Sequence, residues 1–378
     1  MPTSATASTT TAPRRRAFLL GGLAAVAASA SAAFPGSRRA MAALPAAAAL
    51  LAPGPADSAQ ARWAARFAAA LGRCAAPAPT WLQPTPLGGA DGVTAANRFA
   101  TAAAPDGRTL LALAGAAAHA RLIGDSRARY EPSVWLPVCG LVQPTALLVR
   151  GPALAPHLDA RGPRDAAPAP LRFGLPGPAA PEAAALLALD LLGIPALPVF
   201  GLMGTAAEAA LAEGRVDAIL AAGPGLAARA RAIGAEPWFA VAPAEAGTDA
   251  TARRDPALTE VPSLAERIAL RATAGAGSPA AEMVLAANAG LAAARLHTSI
   301  VLPALTSADL VALWRHAAAR LAEELAEEDN PAEGAPPSHP LLLGTEAATA
   351  YAVICAVPEP VVNAYRGWLA RRLNWRSA

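Results

Sequence analysis

Residues 88–111 read GGADGVTAANRFATAAAPDGRTLL. A Gly-rich turn opens an Ala-rich helix, then Pro105-Asp106-Gly107 closes it and returns the chain into an apolar strand. Strand–loop–helix alternation of this kind recurs along the chain. An apolar run at 44–51 ends at Pro53-Gly54-Pro55, and the next segment places Trp63, Phe67 and Leu71 on one helical face. Asp57 is expected to cap that helix with Gln60 at the capping-box position, and Gly72 to end it. A strand at 171–173 runs through 174–180 into a helix opened by Pro181 and closed by Gly193. A strand at 198–200 runs through 201–204 into a helix over 205–213, and 216–220 and 238–241 complete the central strands. Repetition of this unit predicts an α/β fold whose mostly parallel sheets carry helices on both faces.

Length argues for two lobes. Residues 1–42 have the form of an export signal: Arg14, Arg15 and Arg16 precede a short stretch of Ala, Gly and Leu, Pro35-Gly36 breaks it, and Ala40-Met41-Ala42 forms an A-x-A cleavage site. The pattern predicts twin-arginine export and cleavage after Ala42; a retained anchor is the other reading. The remaining 336 of 378 residues exceed what one core usually organises. Strand-like runs emerge into Pro/Gly-rich stretches near 143–150 and 242–251, the expected crossing points between lobes. A helix over 307–328 is expected to bury Leu310, Leu313, Trp314, Leu321 and Leu325, ahead of an acidic, Pro-rich surface loop.

Charge removes one class of function. All 31 basic residues are Arg, and five of them lie in the leader. Beyond it, 26 Arg face 28 acidic residues, a net charge of −2 that gives no footing for nucleic-acid binding. Cys74, Cys139 and Cys355 have neither zinc spacing nor a disulfide framework; one disulfide and three free thiols both fit.

Several motifs in order carry a family resemblance. The 88–111 run is followed by Tyr130-Glu131-Pro132 and Trp135-Leu136-Pro137-Val138, then Gly214-Arg215-Val216-Asp217, then Val261-Pro262-Ser263-Leu264-Ala265-Glu266. Their order and spacing resemble the Bug family, the solute receptors of tripartite tricarboxylate transporters. The resemblance implies a two-lobed, type II periplasmic-binding-protein fold with a ligand cleft between the lobes. It makes the first lobe discontinuous, 43–145 plus 246–378, around a second lobe at 146–245. It further implies a monomeric periplasmic protein that captures a small carboxylate and passes it to membrane transporter subunits or to a membrane sensor, with no cofactor, metal or catalysis. Two loops depart from the family pattern. Pro55 stands where a second Gly is usual, and 174–181 is rich in Pro and Ala where Ser, Gly and Asn prevail.

Backbone N–H groups at helix starts suit the capture of a carboxylate without a buried Lys or Arg. Loops 53–58, 174–181 and 201–205 run from strand ends into helices, where open α/β sheets bind ligands. Pro55, Pro176, Pro178 and Pro181 have no N–H to give. The candidate ligand residues are therefore Gly54, Ala56, Asp57, Ser58, Gly174, Gly177, Ala179, Ala180, Gly201, Gly204 and Thr205. Thr205 with Glu208 also fits a capping box, and ordinary helix starts are the competing reading of all three loops. His119, in a loop that the resemblance turns toward the cleft, is a further candidate; a surface or core histidine is the alternative. Trp135, Phe200 and Trp238 are expected in the core. No nucleophile elbow, Walker loop, H-E-x-x-H or dinucleotide fingerprint supports an enzyme.

Overall fold

The computed structural model describes residues 43–159, 168–243, 254–273, 280–328 and 341–376, all within one compact unit, Ala42–Ala378. The proposed leader and its cleavage site lie outside the described residues. In chain order the elements begin β1 (Ala47–Pro53), α1 (Ala59–Arg73), β2 (Trp81–Leu87), α2 (Val93–Ala102), β3 (Thr109–Ala114), α3 (Gly115–Leu122) and β4 (Leu136–Val142). Next come β5 (Thr145–Val149), α4 (Gly151–Asp159), β6 (Leu171–Leu175), α5 (Ala183–Leu191), β7 (Ala196–Phe200), α6 (Gly204–Ala212), β8 (Ala218–Ala222), α7 (Leu226–Ala232) and β9 (Glu236–Ala240). Finally α8 (Leu264–Thr273), α9 (Ala281–Arg295), β10 (Leu296–Leu302), α10 (Ala308–Glu328), β11 (Leu341–Leu342), α11 (Gly344–Cys355) and α12 (Glu359–Leu373) complete it.

The strands form two sheets, ordered β11-β4-β10-β3-β1-β2 and β7-β6-β8-β5-β9. Where the strand–loop–helix unit repeats, pairing is parallel: β2, β1 and β3 in the first sheet, and β7, β6 and β8 in the second. Strands that arrive by other routes pair antiparallel, β10 with β3 and β4, β5 with β8 and β9. Both sheets are therefore mixed. Only Gln143 and Pro144 separate β4 of the first sheet from β5 of the second.

Buried aliphatic side chains fill both faces of the sheets, and the deepest aromatic residues act as anchors. Trp314 of α10 is fully buried and donates its indole N–H to the Gly107 carbonyl at 3.1 Å, which ties the Pro-Asp-Gly turn to the first sheet's core. Leu321 follows it into that core, whereas Leu325 lies 39% exposed, against expectation, one turn beyond the packed stretch. One core is common to several parts of the chain. Leu122 and Ile123 of α3, the strands of the second sheet, α5, α9 and α12 contribute to a single apolar cluster. Helices α9 and α12 belong to the stretch assigned on sequence to the first lobe, yet they pack on α5 beside the second sheet. Gly290 makes this possible: a Cβ there would lie 2.5 Å from Ala184 Cβ and 2.8 Å from the Tyr365 hydroxyl.

Some local expectations shift by a residue or two. Helix α1 is capped by Ser58, whose Oγ accepts from the Ala61 amide at 3.0 Å, and not by Asp57. Helix α6 starts at Gly204 with Met203 as its cap residue, so Thr205 and Glu208 form no capping box. Trp135 and Trp238 are core residues, but Phe200, on edge strand β7, is 48% exposed. The three cysteines are buried free thiols, and burial pushes Cys139 up to about 12. Among the described residues no single helix is long and apolar enough to cross a membrane.

Candidate functional site

Register brings the carboxyl ends of both parallel strand sets to the crossing. In the first sheet Ala114, at the end of β3, lies opposite Thr298, and Leu296 two residues earlier lies opposite Val142, at the end of β4. In the second sheet Ala222, at the end of β8, lies opposite Thr145, at the start of β5. The loops after β1, β2 and β3 and those after β6, β7 and β8 thus open toward one junction, the position where α/β folds bind ligands.

Within each half the expected loops are hydrogen-bonded neighbours. The Gly54 amide donates to the Gly89 carbonyl at 3.1 Å, joining the loops after β1 and β2. Gly54 is required there: its φ is +90°, and Ser58 Oγ lies 2.8 Å from where a Cβ would stand. In the second half the Gly201 amide donates to the Pro176 carbonyl at 3.1 Å, joining the loops after β6 and β7. These bonds, and one from Ala180 to the Gly177 carbonyl at 3.2 Å, occupy three of the expected donors. Gly174 is a packing residue in β6, buried against Leu202, Val216 and Ile219. The amides of Ala56, Gly177, Ala179 and Gly204 have no acceptor among the described residues. Asp57 is exposed, and its carbonyl accepts from the Arg62 guanidinium. Gly201, Gly204 and Thr205 are exposed as well.

His119 does not face a cleft. It sits in the second turn of α3, wholly buried, with Nδ1 3.1 Å from the Ala179 carbonyl and Nε2 3.0 Å from the Tyr365 hydroxyl. A carbonyl only accepts, so Nδ1 carries the proton and Nε2 accepts from the tyrosine. Burial lowers the His119 pKa from 6.5 to about 4 and keeps the ring neutral. The residue is a bridge: it joins a helix that follows β3 of the first sheet to the loop that follows β6 of the second, and both to α12.

A cavity of about 170 Å³ lies at the crossing, lined by Gln143, Thr145, Glu182, Gly204, Glu208, Ala294 and the end of β8. Of the residues singled out as ligand contacts, only Gly204 borders it. Glu208 is paired with Arg229 at 3.2 Å. Glu182 stands just before α5, makes no side-chain cap bond, and has its carboxyl pKa raised by burial. Sequence reading missed Glu182 and Gln143. The signal available was the polar residue directly after Pro181 and the one directly before Pro144, each at a junction between elements.

A larger, more open cavity of about 660 Å³ lies away from the crossing, beside the end of α2 and the loop after β10. Its wall includes Phe99, Tyr130 and Trp135, with Trp135 stacked on Tyr130 and edge-on to Phe99, and the Arg121–Glu131 ion pair at 2.8 Å. Among the described residues no group of His, Cys, Asp and Glu has the arrangement of a metal site.

No protein-family model and no curated protein matches the sequence. Solved structures do resemble the fold. A TctC solute binding protein from Polaromonas, solved with no ligand, aligns with a TM-score of 0.60 at 18% identity, over 86% of this chain and 98% of its own. An R. palustris protein solved with adipate aligns at 0.50 and 17% identity, over 85% and 98%. A structure described as a periplasmic transporter aligns at 0.50 and 16%, over 88% and 98%. The chain shares the α/β fold of these proteins.

Proposed function

We propose that the protein is an extracytoplasmic receptor of the Bug type, which captures a small carboxylate and delivers it to membrane transporter subunits without turning it over. The observation that carries the reading is the convergence of both sets of strand-end loops on the 143–145 crossing, with the unpaired amides of Ala56, Gly177, Ala179 and Gly204 in those loops. The division into 43–145 plus 246–378 and 146–245 belongs to this proposal, as do monomeric state, export by the twin-arginine route, cleavage after Ala42 and residence in the periplasm. Helix-end electrostatics supply only ~0.3–1 kcal/mol each, so micromolar affinity, about −8 kcal/mol, rests on direct hydrogen bonds from such amides. The test is a thermal-shift screen of the leaderless protein against mono-, di- and tricarboxylates. A ligand at 100 times its Kd stabilises the native state by about 2.7 kcal/mol. Absence of a shift with every carboxylate sinks the proposal.

A further inference from the structure

One residue grips both of the chain segments that join the sheets. Arg295 ends α9 and leads directly into β10 of the first sheet, where Leu296 lies opposite Val142. Its carbonyl accepts from the Gln143 amide at 3.1 Å, on the segment that leaves the first sheet for the second. Its guanidinium reaches the other way: Nε and Nη2 donate to Asp255 Oδ2 at 3.3 and 3.0 Å. Asp255 stands on the returning chain, in a stretch fastened to the second sheet. There the Ala240 amide of β9 donates to the Pro262 carbonyl at 2.9 Å, Ala240 bridges Ser263, and Leu258 enters the apolar cluster shared by β5, β8 and β9. Asp255 Oδ1 accepts from the Ala257 amide at 2.9 Å, so its own segment holds the carboxylate in place for the arginine. The ion pair therefore spans the junction between the sheets.

The two side chains are 8% and 4% exposed, and no other ion pair among the described residues has both partners buried. Taking two charges out of water costs about as much as their attraction returns, so an uncharged pair of similar volume would hold the chain together as well. What the ions add is direction. Apolar burial between α5, α9 and α12 is non-directional and leaves small sliding steps open. A guanidinium edge seated on one carboxylate oxygen holds at one distance and one angle. We propose that the Arg295–Asp255 pair is a latch that sets the angle between the two sheets, so that the empty protein populates one arrangement of its halves. The latch goes beyond the receptor reading and does not depend on it, since it concerns the protein without ligand.

Pulsed electron–electron resonance on the leaderless protein tests this. Spin labels go on Ala65→Cys in α1 and Ala228→Cys in α7, exposed positions on helices that pack on the first and the second sheet. The control pair is Ala65→Cys with Ala100→Cys in α2, both on the first sheet, and the native cysteines are buried. In the otherwise wild-type protein the inter-sheet distances are expected to form one peak as narrow as the control. Arg295→Met with Asp255→Asn removes both charges and keeps an acceptor for the Ala257 amide. It is expected to broaden or split the inter-sheet peak while the control peak and the urea midpoint stay close to wild type. Arg295→Lys keeps the charge but offers a single point of contact, and its inter-sheet peak should fall between the two in width. A broad inter-sheet distribution in wild type overturns the proposal. So does a folded double variant with the wild-type peak, because the pair would then only fill space. Broadening of both label pairs with a lower urea midpoint also overturns it, as general loosening. Where the double variant does not fold, Arg295→Lys decides, and the wild-type width in that variant overturns the latch. Each of these outcomes leaves the receptor reading untouched.

Discussion

Replacing His119 by Gln should change the pH dependence of stability more distinctively than it changes stability itself. At pH 7.5 the variant loses the ring that serves the Ala179 carbonyl and the Tyr365 hydroxyl, and each buried group left without a partner costs about 1–3 kcal/mol. The wild-type histidine also carries a penalty that the variant lacks. Its pKa is 6.5 when free and about 4 in the fold, so between those values the unfolded chain binds the extra proton and the native state does not. Stability conferred by the neutral ring is complete above pH 6.5 and declines as pH falls toward 4. Over the full window the loss amounts to about 3 kcal/mol at ~1.4 kcal/mol per pH unit. Carboxylates such as Asp125 and Asp217, held low by hydrogen bonds from Arg127 and Arg172, also lose their contribution in acid. They do so in both proteins, and the difference between the two isolates His119. Urea denaturation of wild type and variant at pH 7.5, 6.5, 5.5 and 4.5 should show wild type ahead at neutral pH and its lead shrinking by about 2 kcal/mol or more at the acid end. A lead that stays constant across the series would refute the argument, because it would mean that the imidazole takes up its proton inside the folded protein.

Three other outcomes are expected. Gly290→Ala should destabilise by about 1–3 kcal/mol in urea, despite alanine's ~1 kcal/mol advantage within a helix, because the new methyl would stand 2.5 Å from Ala184 Cβ; unchanged stability would mean that α9 and α5 separate freely. Asp255→Asn should cost about 3 kcal/mol or more, since it leaves the Arg295 guanidinium, 3.0 Å from the Asp255 carboxylate and 8% exposed, buried without its counter-charge; a loss under ~1 kcal/mol would place water at that pair. Arg15→Lys with Arg16→Lys should trap the precursor inside the cell, because lysine lacks the guanidinium fork; normal export of the double variant, followed by immunoblot, would show that the leader has been misread.

Local periodicity and turn chemistry made the repeated units legible. Trp63, Phe67 and Leu71 do lie along one helix, and the Pro-Asp-Gly turn does feed an apolar strand, because each depends on residues only a few positions apart. The capping residues were less legible. Asp57 and Ser58 are equally good caps in isolation, and the tight turn at Gly54, which brings Ser58 Oγ close, decides between them. His119 was legible as unusual but not in its role, which depends on Ala179 and Tyr365, 60 and 246 residues away in the chain. Glu182 was invisible for the same reason: nothing near it in sequence indicates that the end of β8 and the 143–145 crossing close a cavity around it.

Helix α9 is packed against α3, α5, α11 and α12, and Gly290 lets it approach α5 with almost no clearance. Two sheets joined only by crossing strands can swing apart like a clamshell. Here any rotation of one sheet against the other has to slide tightly fitted helix faces past each other, in the small steps that shear motions take. In the receptor role proposed above, a membrane partner would have little change of outline to sense between empty and loaded states, and it would have to distinguish them by the chemistry and stiffness of the rim.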